Sequence, residues 1–134
     1  MAPRIKAINN YRPRIEQGNT VQKAELVRAL SRATGLVEGS IEQTKMELRD
    51  HIIEFNRAGR AVKVDGLGTF SPSIELDGTL NIIFRPDPAL NHGINMPGTF
   101  TGTIINREYI GKTGDELIQQ WNEDHPDDQV QSGG

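Results

Sequence analysis

The sequence predicts an α+β fold in which two N-terminal helices are followed by a three-stranded antiparallel sheet. Apolar residues recur at helical spacing through residues 20–58, whereas residues 61–64, 74–76 and 80–84 have the pattern of short strands. Between the last two runs lies Asp77-Gly78, a sequence that favours a two-residue type I′ hairpin turn.

The composition restricts the class of protein. Apolar residues make up 35% and aromatic residues 5% of the 134 residues, so we expect a modest aliphatic core. No apolar run approaches the roughly 20 residues of a membrane-spanning helix, and residues 1–6 lack the apolar segment of a signal peptide. The absence of cysteine excludes disulfides and thiolate metal sites, and it fits a cytoplasmic protein.

The charge is distributed unevenly along the chain. The net charge is -3, but residues 1–34 carry seven Lys and Arg against two acidic residues, and residues 85–134 carry three against eight. Such a gradient indicates either a basic binding face with an acidic tail or an ordinary solvated surface with an acidic linker.

Residues 1–19 are predicted to be an N-terminal extension in the form of an irregular arm, because prolines and a glycine interrupt regular structure. A short strand is indicated by Ile5, Ala7 and Tyr11. Thr20 is then the expected N-cap of the first helix, whose apolar stripe includes Leu26 and Leu30.

Gly35 suits the left-handed position just past the end of that helix. The second helix is expected over residues 38–58, with Ile41, Leu48 and Ile52 on one face and Gly59 as its stop. After the strands, Arg85-Pro86-Asp87-Pro88 ends the sheet, because proline cannot donate to a ladder, and Ala89-Leu90 is a candidate start of a short helix.

The chain after residue 91 has a different composition, and we divide it into an N-terminal extension (1–19), a central domain (20–91) and a C-terminal extension with linker (92–134). Residues 100–105 are a candidate strand, and Thr113-Gly114-Asp115-Glu116 is a capping box that begins a helix containing Trp121. The ending Ser132-Gly133-Gly134 has linker composition, so we expect a longer natural protein.

Five segments in order resemble the HU/IHF family of histone-like DNA-binding proteins. Gly66-Leu67-Gly68-Thr69-Phe70 is similar to the family's Gly-Phe-Gly-Thr-Phe, with Leu67 in place of the first Phe. The resemblance runs from Gln22 to about Leu90. The other segments are Lys23-Ala24-Glu25-Leu26, Thr34-Gly35-Leu36, Phe84-Arg85-Pro86 and Ala89-Leu90. The flanks resemble those of a larger, short-armed subgroup whose members can carry a C-terminal immunoglobulin-like domain.

The resemblance implies an intertwined homodimer whose sheets form a saddle, with two β-arms that enter the minor groove of duplex DNA. The small size of the central domain and its apolar second helix also favour a dimer, since one copy offers too little surface to bury. The implied protein is bacterial, nucleoid-associated and non-enzymatic, and it binds DNA with little sequence preference.

The arm of this chain departs from the family. Between Lys63 and Arg85 the only charged residues are Asp65, Glu75 and Asp77, and the hairpin turns back after a few residues. An acidic hairpin cannot neutralise phosphates, so insertion into the groove is expected to be lost. The remaining candidate DNA-binding residues are Lys23, Arg60, Lys63, Arg85, Arg4 and Lys6.

Two hypotheses therefore remain open. The first is duplex DNA binding through phosphate contacts made by these cations. The second is an HU-fold structural or protein-interaction module that has lost DNA binding along with the basic arm. No catalytic, metal-ligand or nucleotide-binding motif occurs, so we expect no enzymatic activity, no cofactor and no small-molecule substrate.

Overall fold

A computed structural model describes residues 2–131, which divide into two compact units. One is continuous, Thr20–Phe100, and we call it the helix–sheet unit. The other, the flank unit, combines residues 2–19 with residues 101–131. In sequence, the helix–sheet unit is thus inserted between the two halves of the flank unit. The linker predicted at Ser132-Gly133-Gly134 lies outside the described residues.

Two helices open the helix–sheet unit: α2, Lys23–Thr34, and α3, Glu38–Arg57. Gly35 ends α2 in the left-handed conformation with φ 76°, and its N–H donates to the Ser31 carbonyl at 2.8 Å, as the sequence predicts. The predicted N-cap at Thr20 is wrong, because α2 begins later and Gln22 occupies the capping position without a side-chain hydrogen bond.

A three-stranded antiparallel sheet follows, in the order β2 (Val62–Val64), β3 (Gly68–Ile74) and β4 (Leu80–Pro86). Strand β2 pairs only with residues 68–70 of β3, so the rest of β3 has β4 as its one neighbour within the described chain. Pro72 lies in that stretch, where the missing N–H costs least.

The hairpin turn between β3 and β4 differs from the predicted type I′ turn. Asp77 does not have the positive φ that a type I′ turn requires; Gly78, with φ 91°, takes the left-handed position instead. The Gly78 N–H donates to the Glu75 carbonyl at 3.0 Å, and the Asp77 carboxylate accepts from the Thr79 N–H at 2.9 Å. This side-chain bond stabilises a three-residue loop over the two-residue one.

Gly68 allows the two long strands to approach closely. It lies opposite Pro86 in the register, and a Cβ atom here would lie 2.6 Å from the Arg85 carbonyl oxygen and against the Phe84 ring. Phe84 in turn pairs with Phe70, with ring centroids 4.7 Å apart. The Gly-Leu-Gly segment therefore fixes the position of Phe84 and, next to it, Arg85.

A short helix, α4, Pro88–Ile94, ends the regular structure of this unit. The Asp87 carboxylate caps it by accepting from the Ala89 N–H at 2.9 Å. The predicted short helix near Ala89 is therefore present.

The flank unit contains α1 (Arg4–Tyr11), β1 (Arg14–Glu16), β5 (Thr103–Ile105), a 3₁₀ turn (Arg107–Tyr109) and α5 (Gly114–Asp124). The interpretation of residues 5–11 as a short strand in an irregular arm is wrong, because they form a helix that packs on α5. Strands β1 and β5 pair antiparallel, with Ile15 opposite Ile104. Thr113 caps α5, as predicted, by accepting from the Glu116 N–H at 3.2 Å.

Residues from both parts of the flank unit, 2–19 and 101–131, form its core. Its buried members come from the N-terminal half (Ala2, Ala7, Tyr11) and from α5 (Leu117, Ile118, Trp121). Burial, together with a hydrogen bond to Asp124, raises the pKa of Tyr11 to about 12. Trp121 is buried here, and its indole N–H donates to the Asp128 carbonyl at 2.8 Å.

The helix–sheet unit, in contrast, buries little apolar surface within one chain. Among its large apolar side chains, only Val27 and Ile52 are buried, whereas nineteen are exposed, and residues 20–100 are all described. The unburied set includes Leu26 and Leu48 on the helices and Phe84 on the sheet. One copy of this unit therefore leaves many large apolar side chains in contact with water.

A charge on the buried face of α1 should disrupt the packing of the flank unit's core. We expect Ala7→Asp to destabilise it by about 3 kcal/mol or more, because Ala7 is fully buried in an apolar cluster. The emission of Trp121, the only tryptophan of the chain, should shift to longer wavelength in native buffer. Asn9→Asp, on the exposed side of the same helix, is the matched control. An unshifted emission spectrum for Ala7→Asp would contradict the described packing.

A methyl group at Gly68 should destabilise the sheet. We expect Gly68→Ala to cost about 1–3 kcal/mol, because the Cβ meets backbone and ring atoms that cannot move aside cheaply. The thermal midpoint from circular dichroism should fall by about 5 °C or more. Gly39→Ala, in the first turn of α3 with no atom within 4 Å, is the control and should leave the midpoint unchanged or raised. Equal midpoints for the two variants are the outcome that contradicts this prediction.

Candidate nucleic-acid interface

The sheet brings two of the predicted DNA-binding residues together. Lys63 on β2 pairs with Thr69 on β3, and Thr69 pairs with Arg85 on β4. Side chains of directly opposed residues lie on the same face of a sheet, so both cations flank Thr69 on one side. We call Lys63, Thr69 and Arg85 the cation row.

The same face continues along the hairpin with uncharged side chains. Two and four residues beyond Thr69 on β3, the pairs on this face are Ser71 opposite Ile83 and Ser73 opposite Asn81. We call these seven residues the polar face: Lys63, Thr69, Ser71, Ser73, Asn81, Ile83 and Arg85. It contains no carboxylate.

Both cations of the row are free of ion pairs within residues 2–131. Arg85 makes no ion pair with the neighbouring Asp87, whose carboxylate instead caps α4. Lys23 is different: its Nζ lies 2.6 Å from the Glu42 carboxylate, and the hydrogen bond from Lys23 lowers the pKa of Glu42. The structure therefore leaves Lys63 and Arg85 available to an anion and engages Lys23 internally.

Arg60 lies between α3 and β2, outside the register of the sheet. The guanidinium carbon of Arg60 is 5.4 Å from the centre of the Phe55 ring. The backbone N–H of Arg60 donates to the Phe55 carbonyl at 3.0 Å. The buried Asn56 amide donates to the Arg60 and Phe70 carbonyls at 3.0 and 3.3 Å. Asn56 thus joins the end of α3 to the sheet and fixes the backbone of Arg60.

Arg4 and Lys6, the last two predicted residues, belong to α1 of the flank unit. Arg4 makes a 2.9 Å ion pair with Asp115, and the Lys6 Nζ lies 5.6 Å from the centre of the Trp121 ring. The structure therefore does not bring these two cations together with the cation row in one unit.

The other face of the sheet is apolar. Val62, Phe70 and Phe84 form one row across the three strands, followed along the hairpin by Pro72 opposite Ile82 and Ile74 opposite Leu80. We call these seven residues the apolar face. An open groove of about 530 Å³ is lined by the outer part of the apolar face, by Ile53 of α3, and also by Ser73 and Asn81 of the polar face.

Acidic residues lie beyond the ends of the strands. Asp65 precedes β3, and Glu75 and Asp77 are at the tip of the hairpin. The hydrogen bond from the Thr79 N–H lowers the pKa of Asp77, so the tip remains negatively charged at neutral pH. The polar face therefore carries positive charge in the cation row, with Asp65 beyond the end of β2 at the base and further negative charge at the tip.

Sequence reasoning missed the uncharged part of the polar face and the role of Asn56. The alternation of Thr69, Ser71 and Ser73 was the available signal for the first. No local pattern distinguishes Asn56 from an ordinary helix residue, because its partners become neighbours only when the sheet packs on α3.

The chain resembles known proteins in both sequence and fold. A family model described as HU-HIG, an HU domain fused to wHTH, Ig or glycine-rich motif, matches residues 3–82, more than half of the chain. The chain belongs to this HU family. Among solved structures, a point mutant of HU from Thermotoga maritima has 19% sequence identity over 55% of this chain and 99% of that chain, with a TM-score of 0.47. No curated protein matches the chain.

The HU-HIG match begins one residue before α1 and ends in β4, so it includes α1, β1, α2, α3, β2 and β3. The cation row pairs two residues inside the match, Lys63 and Thr69, with Arg85 just beyond it. Within residues 2–131, no group of three potential metal ligands occurs and no helix has the length and apolar character to cross a membrane.

Proposed function

We propose that the chain is a non-enzymatic, HU-like architectural protein of the bacterial nucleoid, which binds duplex DNA through phosphate contacts with little sequence preference. The cation row carries the proposal: Lys63 and Arg85 flank Thr69 on a sheet face without carboxylates, and neither has an ion pair within the described chain. Lys and Arg contacts to phosphate supply most of the affinity of non-specific DNA binding, and they carry no sequence information.

A homodimer completes the proposed interface. Nineteen exposed large apolar side chains in the helix–sheet unit indicate that a second copy covers the apolar face. The intertwined dimer implied by the family resemblance satisfies this need. A two-fold axis then provides two cation rows, and so four cations, for one duplex.

The short hairpin favours a second candidate function, an HU-fold interaction module without DNA binding. Its tip carries Glu75 and Asp77 and no cation, so it cannot track the minor groove by charge. Asp65 adds a further negative charge near the base of the sheet. The two candidates differ in what the polar face contacts, and a salt titration of DNA binding distinguishes them.

Two neighbouring isoleucines test the assignment of the two faces. Ile82 and Ile83 are similarly exposed, 47% and 44%, but they lie on opposite faces of β4. Ile82→Glu should weaken the dimer on the order of 100-fold, about 3 kcal/mol, because it places a charge in the apolar contact. Ile83→Glu should leave the dimer intact and abolish DNA binding by adding a carboxylate beside the cation row.

Sedimentation equilibrium measures the first effect, and a gel shift with a mixed-sequence duplex measures the second. A wild-type monomer, or equal effects of the two substitutions on the oligomeric state, contradicts the assignment of the apolar face to the dimer.

The salt dependence of DNA binding tests the cation row. Each phosphate contact contributes about 0.9 to the slope of log K against log salt, so Lys63→Gln with Arg85→Gln should reduce the slope by about 3 to 4 in a dimer. Lys23→Gln, whose cation is already paired with Glu42, is the matched control and should change the slope less than Lys63→Gln alone. Fluorescence anisotropy between 50 and about 200 mM salt gives the slopes.

If the wild-type chain does not bind near 50 mM salt, or binds with a flat salt dependence, the DNA-binding proposal fails and the interaction module is favoured.

A further inference from the structure

Three hydroxyl groups extend the cation row along the hairpin. Thr69, Ser71 and Ser73 occupy alternate positions of β3, so all three lie on the polar face, and Ser73 is opposite Asn81. Each of the three is partly exposed. The face thus offers donors from the base of the sheet almost to the tip of the hairpin.

These hydroxyls are not used within the described chain. None of the three makes a side-chain hydrogen bond to any of residues 2–131, whereas Thr34 and Thr44 each donate to a carbonyl four residues earlier in their helices, at 2.7 and 2.8 Å. A hydroxyl that has no internal acceptor and faces solvent is available to donate to an external one.

The row has the dimensions of a short length of nucleic-acid backbone. Alternate residues of a strand are roughly 7 Å apart, so the distance from Thr69 to Ser73 is roughly 13 Å. One strand of duplex DNA presents a phosphate about every 3.4 Å of helix axis, so a row of this length is long enough to contact more than one phosphate. Positive charge at one end of the row, from Lys63 and Arg85, complements such an occupant.

We propose that Thr69, Ser71, Ser73 and Asn81 bind DNA phosphates as uncharged donors, along a backbone that Lys63 and Arg85 hold at the base of the sheet. The inference rests on the proposed function, since it assigns further contacts to the same interface. Hydroxyl and amide donors to phosphate are ordinary positioning contacts in protein–DNA complexes. In this chain they take the place that additional cations would occupy on a longer, basic arm.

Uncharged donors have a distinct signature. A neutral hydrogen bond to a phosphate adds affinity but displaces no condensed counterion, so it does not contribute to the salt slope. The cations and the hydroxyls of the polar face are therefore separable in one titration. Removing cations lowers both affinity and slope, and removing hydroxyls lowers affinity alone.

The experiment is a salt titration of the full chain with a mixed-sequence duplex, comparing the wild type with Ser71→Ala/Ser73→Ala. We expect the double variant to bind about tenfold more weakly at every salt concentration, with an unchanged slope. Ser71→Thr/Ser73→Thr retains the hydroxyls and suits a strand, so it should restore wild-type affinity. Ser40→Ala, an exposed serine of α3, is the control for loss of a hydroxyl elsewhere.

The outcomes separate this inference from the proposed function. If the wild type binds with a steep slope and the double alanine variant binds equally well, the hydroxyl contacts are absent and the cation row stands. A reduced slope for the alanine variant, with its dimer and thermal midpoint unchanged, also overturns the inference, because it assigns the effect to the cations. If the wild type does not bind the duplex at 50 mM salt, the proposed function fails first and this inference fails with it.

Discussion

The alternation of side chains along β3 and β4 is the constraint on which the helix–sheet unit depends. Because successive residues point to opposite sides, one strand pair presents Phe70 and Phe84 on one face and Thr69 and Arg85 on the other. A slip of one residue in the pairing would exchange the two faces completely. The register is fixed at one end by the close approach at Gly68 and at the other by the loop that Asp77 and Gly78 stabilise.

The elements that the sequence predicts well are those whose signals are local. The bounds of α3 and the left-handed end of α2 at Gly35 follow from apolar spacing and one glycine. The predicted hairpin loop was one residue too short, because the Asp77 carboxylate accepts a hydrogen bond from the Thr79 N–H and favours a longer turn. Helix α1 was missed because its buried residues, Ala7 and Tyr11, pack on α5, which lies about a hundred residues later in the chain.

The candidate site could be predicted only as a set of cations. Which of them are available depends on where carboxylates lie in space: Lys23 meets Glu42 from the next helix, and Arg4 meets Asp115 from the distant end of the chain. Surface ion pairs of this kind contribute little to stability, about 0–1 kcal/mol, but each places a carboxylate beside a cation that an anion would otherwise contact. Lys63 and Arg85 differ from these cations because each lies opposite Thr69 in the sheet, an arrangement that composition does not reveal.

Net charge is a poor guide to what such a face binds. The chain carries -3 overall, yet a phosphate responds to charges within about 10 Å at 0.1 M salt, which is the screening length. Glu75 lies six residues along β3 from Thr69, roughly 20 Å at the rise of a strand, so its charge is largely screened from the cation row at that ionic strength. At much lower salt the screening length approaches 30 Å, and the acidic tip then opposes any anion that the row attracts. Attraction by the row also weakens as salt rises, so the reduced repulsion at the tip offsets part of the fall in affinity expected for a DNA backbone and does not reverse it.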